Sequence, residues 1–326
     1  MAITLPAFVH RHPRYTGLLA FVLLCSTLLL FPFHGPDRPY SGLSTLSSKF
    51  HPGVGLEEWV RREEIHYMDA LAGRKWLIEQ YGGDIHKIDP FPPREEYTLW
   101  DFFYPAFNCP HRIERVGQVG DGGKWLCGVD RIVEKRTPCV IYSFGVNHDS
   151  SFEAAMLERA PGCQVWGYDF SVDSWGPQLQ NNPTLSQRAH FFPYALGPRD
   201  AQMESPPMYT LQTLMEMNGH DFIDVLKIDI EGGEFDALAA FVKPYLASGA
   251  PGLPVGQMQI EIHAWGGNGD FAKFLTWWEN LERSGLRPFF SEPNKPYISH
   301  FKARPDLEEF CFINSKTRNA LIAEGF

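Results

Sequence analysis

From Pro138 onward, short apolar runs alternate with amphipathic stretches, and no other feature restricts the fold as much. Val140–Gly145 (VIYSFG) reads as a buried strand and Ser151–Arg159 as the helix that follows it. Gln164–Asp169 (QVWGYD) and Ala189–Ala195 (AHFFPYA) are the next strands. Ile223–Asp229 (IDVLKID) is the fourth, leading into a helix from Gly233 to about Lys243, and Gln257–His263 is the fifth. The next helix has the clearest period: Phe271, Phe274, Leu275, Trp278 and Leu281 share one face, with Asn268 or Asp270 as cap. In that setting Trp277 and Trp278 read as packing residues. Arg287–Ser291 and Glu309–Asn314 read as two terminal strands. Strands separated by helices need crossover connections, so the expected fold is α/β. Its sheet should be mostly parallel and covered on both faces, with room for an antiparallel final strand. Hydrophobic residues make up 44% of the chain, enough to exclude a largely disordered polymer.

The N-terminal third has a different character. Gly17–Phe33 is an uncharged apolar run preceded by Arg11 and Arg14, and it follows a short tail at 1–16. Its length sits at the lower edge of what spans a bilayer, and the residues after it (His34, Gly35, Pro36) offer no small-x-small cleavage site. A type II signal anchor at 17–33 is therefore expected, with the remainder lumenal in the secretory pathway (ER or Golgi). A cleaved signal and a secreted product is the alternative. Residues 34–55 read as a flexible stalk rich in Pro, Gly and Ser. Residues 56–97 read as a helical neck or lid, with Val60, Met68, Leu71 and Ile78 spaced among charges, and the catalytic domain then runs from 98 to 326. Glycines within Arg115–Val129 suggest a hairpin ahead of the main sheet. Cys25 lies in the apolar run, leaving five cysteines, an odd number whose spacings match no zinc pattern, and no metal is expected. The formal charge of −10, with no basic run, argues against a nucleic-acid partner.

In an open α/β sheet, ligands bind beyond the carboxyl ends of the strands. The first strand is followed by Gly145, Val146, Asn147, His148 and Asp149, a turn into a helix that lacks both GxGxxG and the lysine of a nucleotide P-loop. An ordinary strand–helix turn capped by Asp149 or Ser150 is the plainer reading of this loop. The second strand ends in Asp169, suited to accept hydrogen bonds from a ribose diol. The fourth ends in Lys227-Ile228-Asp229-Ile230-Glu231-Gly232-Gly233, and the fifth carries Glu261 and His263. Ionisable groups gathered at neighbouring strand ends are costly inside a core, so they indicate a polar cleft.

The loop FGVNHDSSFE, Tyr168-Asp169, the tract FPYALG, LKIDIEGGEFDAL, IEIH, SEPN and the upstream DGGKWLC occur in one order. Together they resemble the FkbM-like, membrane-anchored "methyltransferase-like" group of S-adenosylmethionine-dependent methyltransferases. The resemblance covers about Thr98 to Asn314. It implies a class I methyltransferase fold with a seven-stranded sheet and S-adenosylmethionine over the first, second and fourth strand ends. Gly145, Asn147 and Asp149 would meet the methionine part of the cofactor and Asp169 its ribose. Ala195 and Leu196 would lie near the adenine, and Asp229 near the sulfonium. Carboxylates suit that cation, whereas a polyphosphate would call for Lys or Arg.

Methyl transfer is an in-line displacement in which the enzyme positions the acceptor and removes its proton. His263 or Glu231 is the expected general base, with Glu261 orienting the pair, and the expected reaction is O-methylation of an unidentified acceptor. A strand-end histidine and a charge at a helix start are the plainer alternatives. Asp121 and Lys124 are expected on a flap over the pocket. Two other classes compete. One is a type II glycosyltransferase, since Asp229-Ile230-Glu231 imitates a DxD motif; the other is a catalytically silent scaffold with the same fold.

Overall fold

The computed structural model describes residues 55–120 and 122–325. The expected tail, anchor and nearly all of the stalk lie outside the described residues, as do Asp121 and Phe326. The chain divides after Leu46, and the described residues all belong to the unit from Ser47 onward. Among the described residues no helix is long and apolar enough to cross a membrane.

Helix α1 spans Leu56–Gln80 and is followed by a hairpin of β1 (Ile113–Val116) and β2 (Lys124–Cys127). Next come α2 (Val129–Val133), β3 (Cys139–Phe144), α3 (Ser151–Arg159) and β4 (Cys163–Tyr168). The short turns α4 (Pro177–Gln180) and α5 (Pro183–Ser186) lead to β5 (Ala189–Phe192), then to the small ladder of β6 (Ala195–Leu196) and β7 (Met208–Tyr209). The chain continues through α6 (Leu211–Asn218), β8 (Ile223–Ile228), α7 (Glu234–Ser248), β9 (Val255–His263) and α8 (Phe271–Arg283). It ends with β10 (Leu286–Pro293), α9 (Lys295–Phe301) and β11 (Leu307–Asn314).

Seven strands form one sheet in the order β10-β11-β9-β8-β3-β4-β5. Strands β5, β4, β3, β8 and β9 run parallel, and β11 is antiparallel to both of its neighbours. The last strand is antiparallel, as the sequence allowed, but it lies between β9 and β10 rather than at the edge. The direction of the connections reverses between β3 and β8, which opens a crevice at their carboxyl ends.

Two expected elements differ in extent and a third in the face it buries. The run AHFFPYA is not one strand: β5 stops at Phe192, because Pro193 has no N–H for the ladder, and Ala195–Leu196 pairs with β7 instead. Helix α7 passes Pro244 and ends at Gly249, in the left-handed conformation, since Tyr245 and Leu246 still pack on the core. In α1, Val60 is buried but Met68 is exposed, and the buried face also holds Glu63, Tyr67 and Arg74. A hydrophobic period under-reads a helix that docks through paired polar groups. Trp278 is fully buried among Phe103, Phe274, Phe310 and Phe312, and Trp277 packs on Phe235, so both serve the core.

Cys109 pairs with Cys127 and Cys139 with Cys163, which among the described residues leaves Cys311 free and buried. The second disulfide joins residues directly opposed on β3 and β4. On β11, burial pushes the Glu308 carboxyl up to about 7, with the negative charges of Glu309 and Glu292 adding to it. Between the ordinary carboxyl range and pH 7 the folded state binds more protons than the unfolded one, so stability falls as pH rises through that window. Glu308→Gln is expected to flatten this dependence. It should stabilise the protein at pH 8 by on the order of 2 kcal/mol and change little near pH 4. Urea unfolding at the two pH values measures this, and equal effects at both would contradict it.

Candidate active site

The crevice is a cavity of about 440 Å³ at the carboxyl ends of β3, β4 and β8, within the usual range for small-molecule sites. Gly145 follows β3 with φ at 74°, and a Cβ there would lie 1.7 Å from the carbonyl oxygen of Asp229. Only glycine lets the ends of β3 and β8 approach so closely. Lys227 donates its ammonium to the carbonyl of Gly145 from below. Asn147 is left-handed at φ 50°, which turns its backbone N–H toward Asp169 at 2.7 Å. Asp169 also accepts from the N–H and hydroxyl of Ser171, both at 2.7 Å, and this fixes the carboxylate at the cavity wall. Asp149 accepts from Ser151 N–H (2.8 Å) and Gln178 (3.0 Å), joining the start of α3 to α4.

All seven residues expected to bind the cofactor line this one cavity: Gly145, Asn147, Asp149, Asp169, Ala195, Leu196 and Asp229. Glu231, Glu261 and Lys124 line it too. His263 does not: it is 1% exposed behind the wall, with its backbone N–H at 2.8 Å and Nδ1 at 3.2 Å from Glu234 Oε1. The hairpin does lie against the cavity. Gly122 sits so close to Asp149 that a Cβ there would come within 2.0 Å of its carboxylate. Lys124 is not a loose cover but a buried cation, ion-paired with Glu309 and 3.6 Å from Asp229.

The electrostatics follow from that burial. Desolvation works against the Lys124 ammonium, but the charges of Glu309 and Asp229 outweigh it and hold its proton firmly. Burial likewise pushes Asp229 upward, yet Lys124 and Lys227 prevail and keep it ionised. Glu261 goes the other way: burial, then the charges of Asp229 and Glu309, raise it well above the carboxylate range, so it is protonated at neutral pH. Asn294 donates to Glu261 at 2.7 Å. Burial opposes a charge on His263, but Glu234, followed by Asp229 and Glu231, favours the imidazolium. Glu231 has an exposed side chain and left-handed backbone (φ 55°) on the cavity rim.

Several contributors carried little sequence signal. Glu309 and Glu234 complete the charge network from distant points in the chain, and Phe170, Tyr194 and Met208 give one end of the cavity an apolar lining. Phe170 follows the strand-end Asp169 and Tyr194 lies inside FPYALG, so proximity to those motifs was the available clue. Glu309 had none.

The strand order, with its antiparallel seventh strand inserted beside the fifth, is that of a class I Rossmann-like methyltransferase. The family model described as "Methyltransferase domain" matches residues 77–304, well over half of the sequence, and the chain belongs to that family. Among curated proteins it is similar to "Probable methyltransferase-like protein 24" of Rattus norvegicus, 29% identical over 49% of this chain and 45% of the relative. The Homo sapiens counterpart is 28% identical over the same shares. The aligned region thus spans less than half the length of these curated relatives. Solved structures resemble it more remotely. A fibrillarin pre-rRNA processing protein of Methanococcus jannaschii is 14% identical, with 56% of this chain and 69% of that one covered and a TM-score of 0.34. A TehB-like SAM-dependent methyltransferase of Corynebacterium glutamicum is 17% identical, with 57% and 87% covered and a TM-score of 0.28. Neither score is high enough to bear on the site.

Proposed function

We propose that the protein binds S-adenosylmethionine in this cavity and catalyses methyl transfer to an oxygen of its acceptor. The observation that carries the reading is the convergence of seven motif residues on one cavity whose polar wall is dominated by carboxylates. A cation-bearing ligand fits that wall, while a pyrophosphate would face Asp149 and Asp169. The aromatic and apolar end formed by Phe170, Tyr194, Leu196 and Met208 suits a planar base. When bound, the cofactor supplies a methyl group on a positively charged sulfur. Asp169 would accept from the ribose hydroxyls, Gly145, Asn147 and Asp149 would hold the amino-acid portion, and ionised Asp229 would face the sulfonium. Of the expected bases, Glu231 is the one open to an acceptor, so it takes the acceptor's proton. Protonated Glu261 cannot; it acts as a donor beside Asp229.

A membrane-anchored, lumenal placement belongs to the same proposal. It rests on the apolar run Gly17–Phe33 and is supported by two paired disulfides, which persist in oxidising compartments.

Thermal unfolding with added ligands tests the cofactor class. A ligand at about 100 times its Kd stabilises by about 2.7 kcal/mol, which shifts Tm by several degrees. S-adenosylmethionine and S-adenosylhomocysteine are expected to give that shift, and a nucleotide sugar with manganese none. The reverse pattern would establish the glycosyltransferase class instead.

A further inference from the structure

Among the described residues two groups of three ligating side chains meet beside the cavity, each with its candidate atoms within 4.8 Å of one another. One is Asp229, Glu261 and Glu309. Its cation is already part of the chain, because Lys124 lies against Glu309 and 3.6 Å from Asp229. The other is Asp229, Glu231 and His263. It opens to the cavity through Glu231, whose side chain is 77% exposed, while His263 is 1% exposed.

The histidine carries the argument. Its Nδ1 faces Glu234 Oε1 at 3.2 Å, and Glu234 is fully buried and also accepts the His263 backbone N–H. The ring is therefore fixed with Nε2 aimed at the cluster. Nε2 lies 3.5 Å from a carboxylate oxygen of Glu231 and 3.7 Å from a carboxyl oxygen of Glu261. An imidazole nitrogen of a buried histidine facing the Glu231 carboxylate, with its other nitrogen oriented by the further carboxylate of Glu234, is the arrangement of a metal-binding histidine. Two carboxylates and one imidazole, with the remaining positions open to a cavity, suit a hard, oxygen-preferring divalent ion such as Mg²⁺ or Mn²⁺.

We infer that Asp229, Glu231 and His263 bind one divalent cation, and that its open positions hold an oxygen of the acceptor. The role assigned to the cation rests on the methyl-transfer reading, because only an acceptor entering this cavity would complete the coordination. Glu231 ligates through its carboxylate, which also takes the acceptor's proton. Lys124 keeps its closer contact with Glu309, and Glu234 is a positioning residue acting through the ring.

The test is a Mn²⁺ titration of the full-length protein, followed by the electron paramagnetic resonance of free Mn²⁺. S-adenosylmethionine binding is measured on the same samples. One saturable site per chain is expected, weakened about tenfold or more by Glu231→Gln and by Glu234→Gln. Glu231 is exposed, so its variant should fold even if a change at buried His263 does not. Absence of saturable Mn²⁺ binding, or binding indifferent to Glu231→Gln, overturns the site. If that happens while S-adenosylmethionine still binds, the metal inference alone fails. Mn²⁺ binding that depends on Glu231, without S-adenosylmethionine binding, supports the cation site and removes the methyl-transfer reading.

Discussion

Arg74→Met is expected to lower the free energy of unfolding by about 3–5 kcal/mol, the usual consequence of leaving a buried carboxylate without its partner. Arg74 donates to both carboxylate oxygens of Glu282, at 2.9 and 2.7 Å, and to the carbonyl of Phe102 at 2.9 Å. Tyr67 and Trp278 donate to the same carboxylate at 2.5 and 2.8 Å. Arginine and glutamate are both nearly inaccessible, and the guanidinium also lies over the ring of Phe103. Tyr67 and Arg74 come from α1 and Glu282 from α8, so this network fastens the first described helix to the sheet's covering layer. Urea unfolding monitored by circular dichroism measures the loss. A change below about 1 kcal/mol, typical of an exposed pair, would mean that α1 is not docked through this contact.

Gly145→Ala should be nearly as damaging, and its damage should reach the site. The new methyl carbon would have to occupy a point 1.7 Å from the Asp229 carbonyl oxygen, on a residue already at φ 74°. Left-handed backbone alone disfavours alanine by about 1–2 kcal/mol, and forcing β3 and β8 apart adds a further 1–3 kcal/mol. Gly219→Ala is the internal control. That glycine has nearly the same φ, 70°, but nothing within 4 Å of the added carbon, so only the first effect applies. The expected ordering is a loss of about 3 kcal/mol or more at 145 against about 1–2 kcal/mol at 219. Equal losses would show that the two strand ends can separate freely, and the cavity would then lack a rigid floor.

The central sheet was legible because parallel strands covered on both faces are continuous apolar runs, and VIYSFG, QVWGYD and IDVLKID differ from their strands by at most one residue at either end. The cavity residues were legible for a related reason: strand ends in such a sheet face one crevice, so Asp169 and Asp229 needed no knowledge of packing. Pairings between distant segments were not legible. Nothing near Lys124 announces Glu309, and nothing near Arg74 announces Glu282, because charge partners 185 and 208 residues apart meet only through topology. The site roles expected of His263 and Lys124 depended on the same missing information. One turned out to lie behind the cavity wall and the other inside an ion-pair network.

The most direct test of the account is calorimetric titration of the full-length protein with S-adenosylmethionine, beside an Asp169→Ala variant checked for folding by circular dichroism. The account predicts one binding site in the wild type and no measurable binding in the variant. A folded wild-type protein that takes up no S-adenosylmethionine, or a variant that binds it as well as the wild type, would contradict the assignment of this cavity.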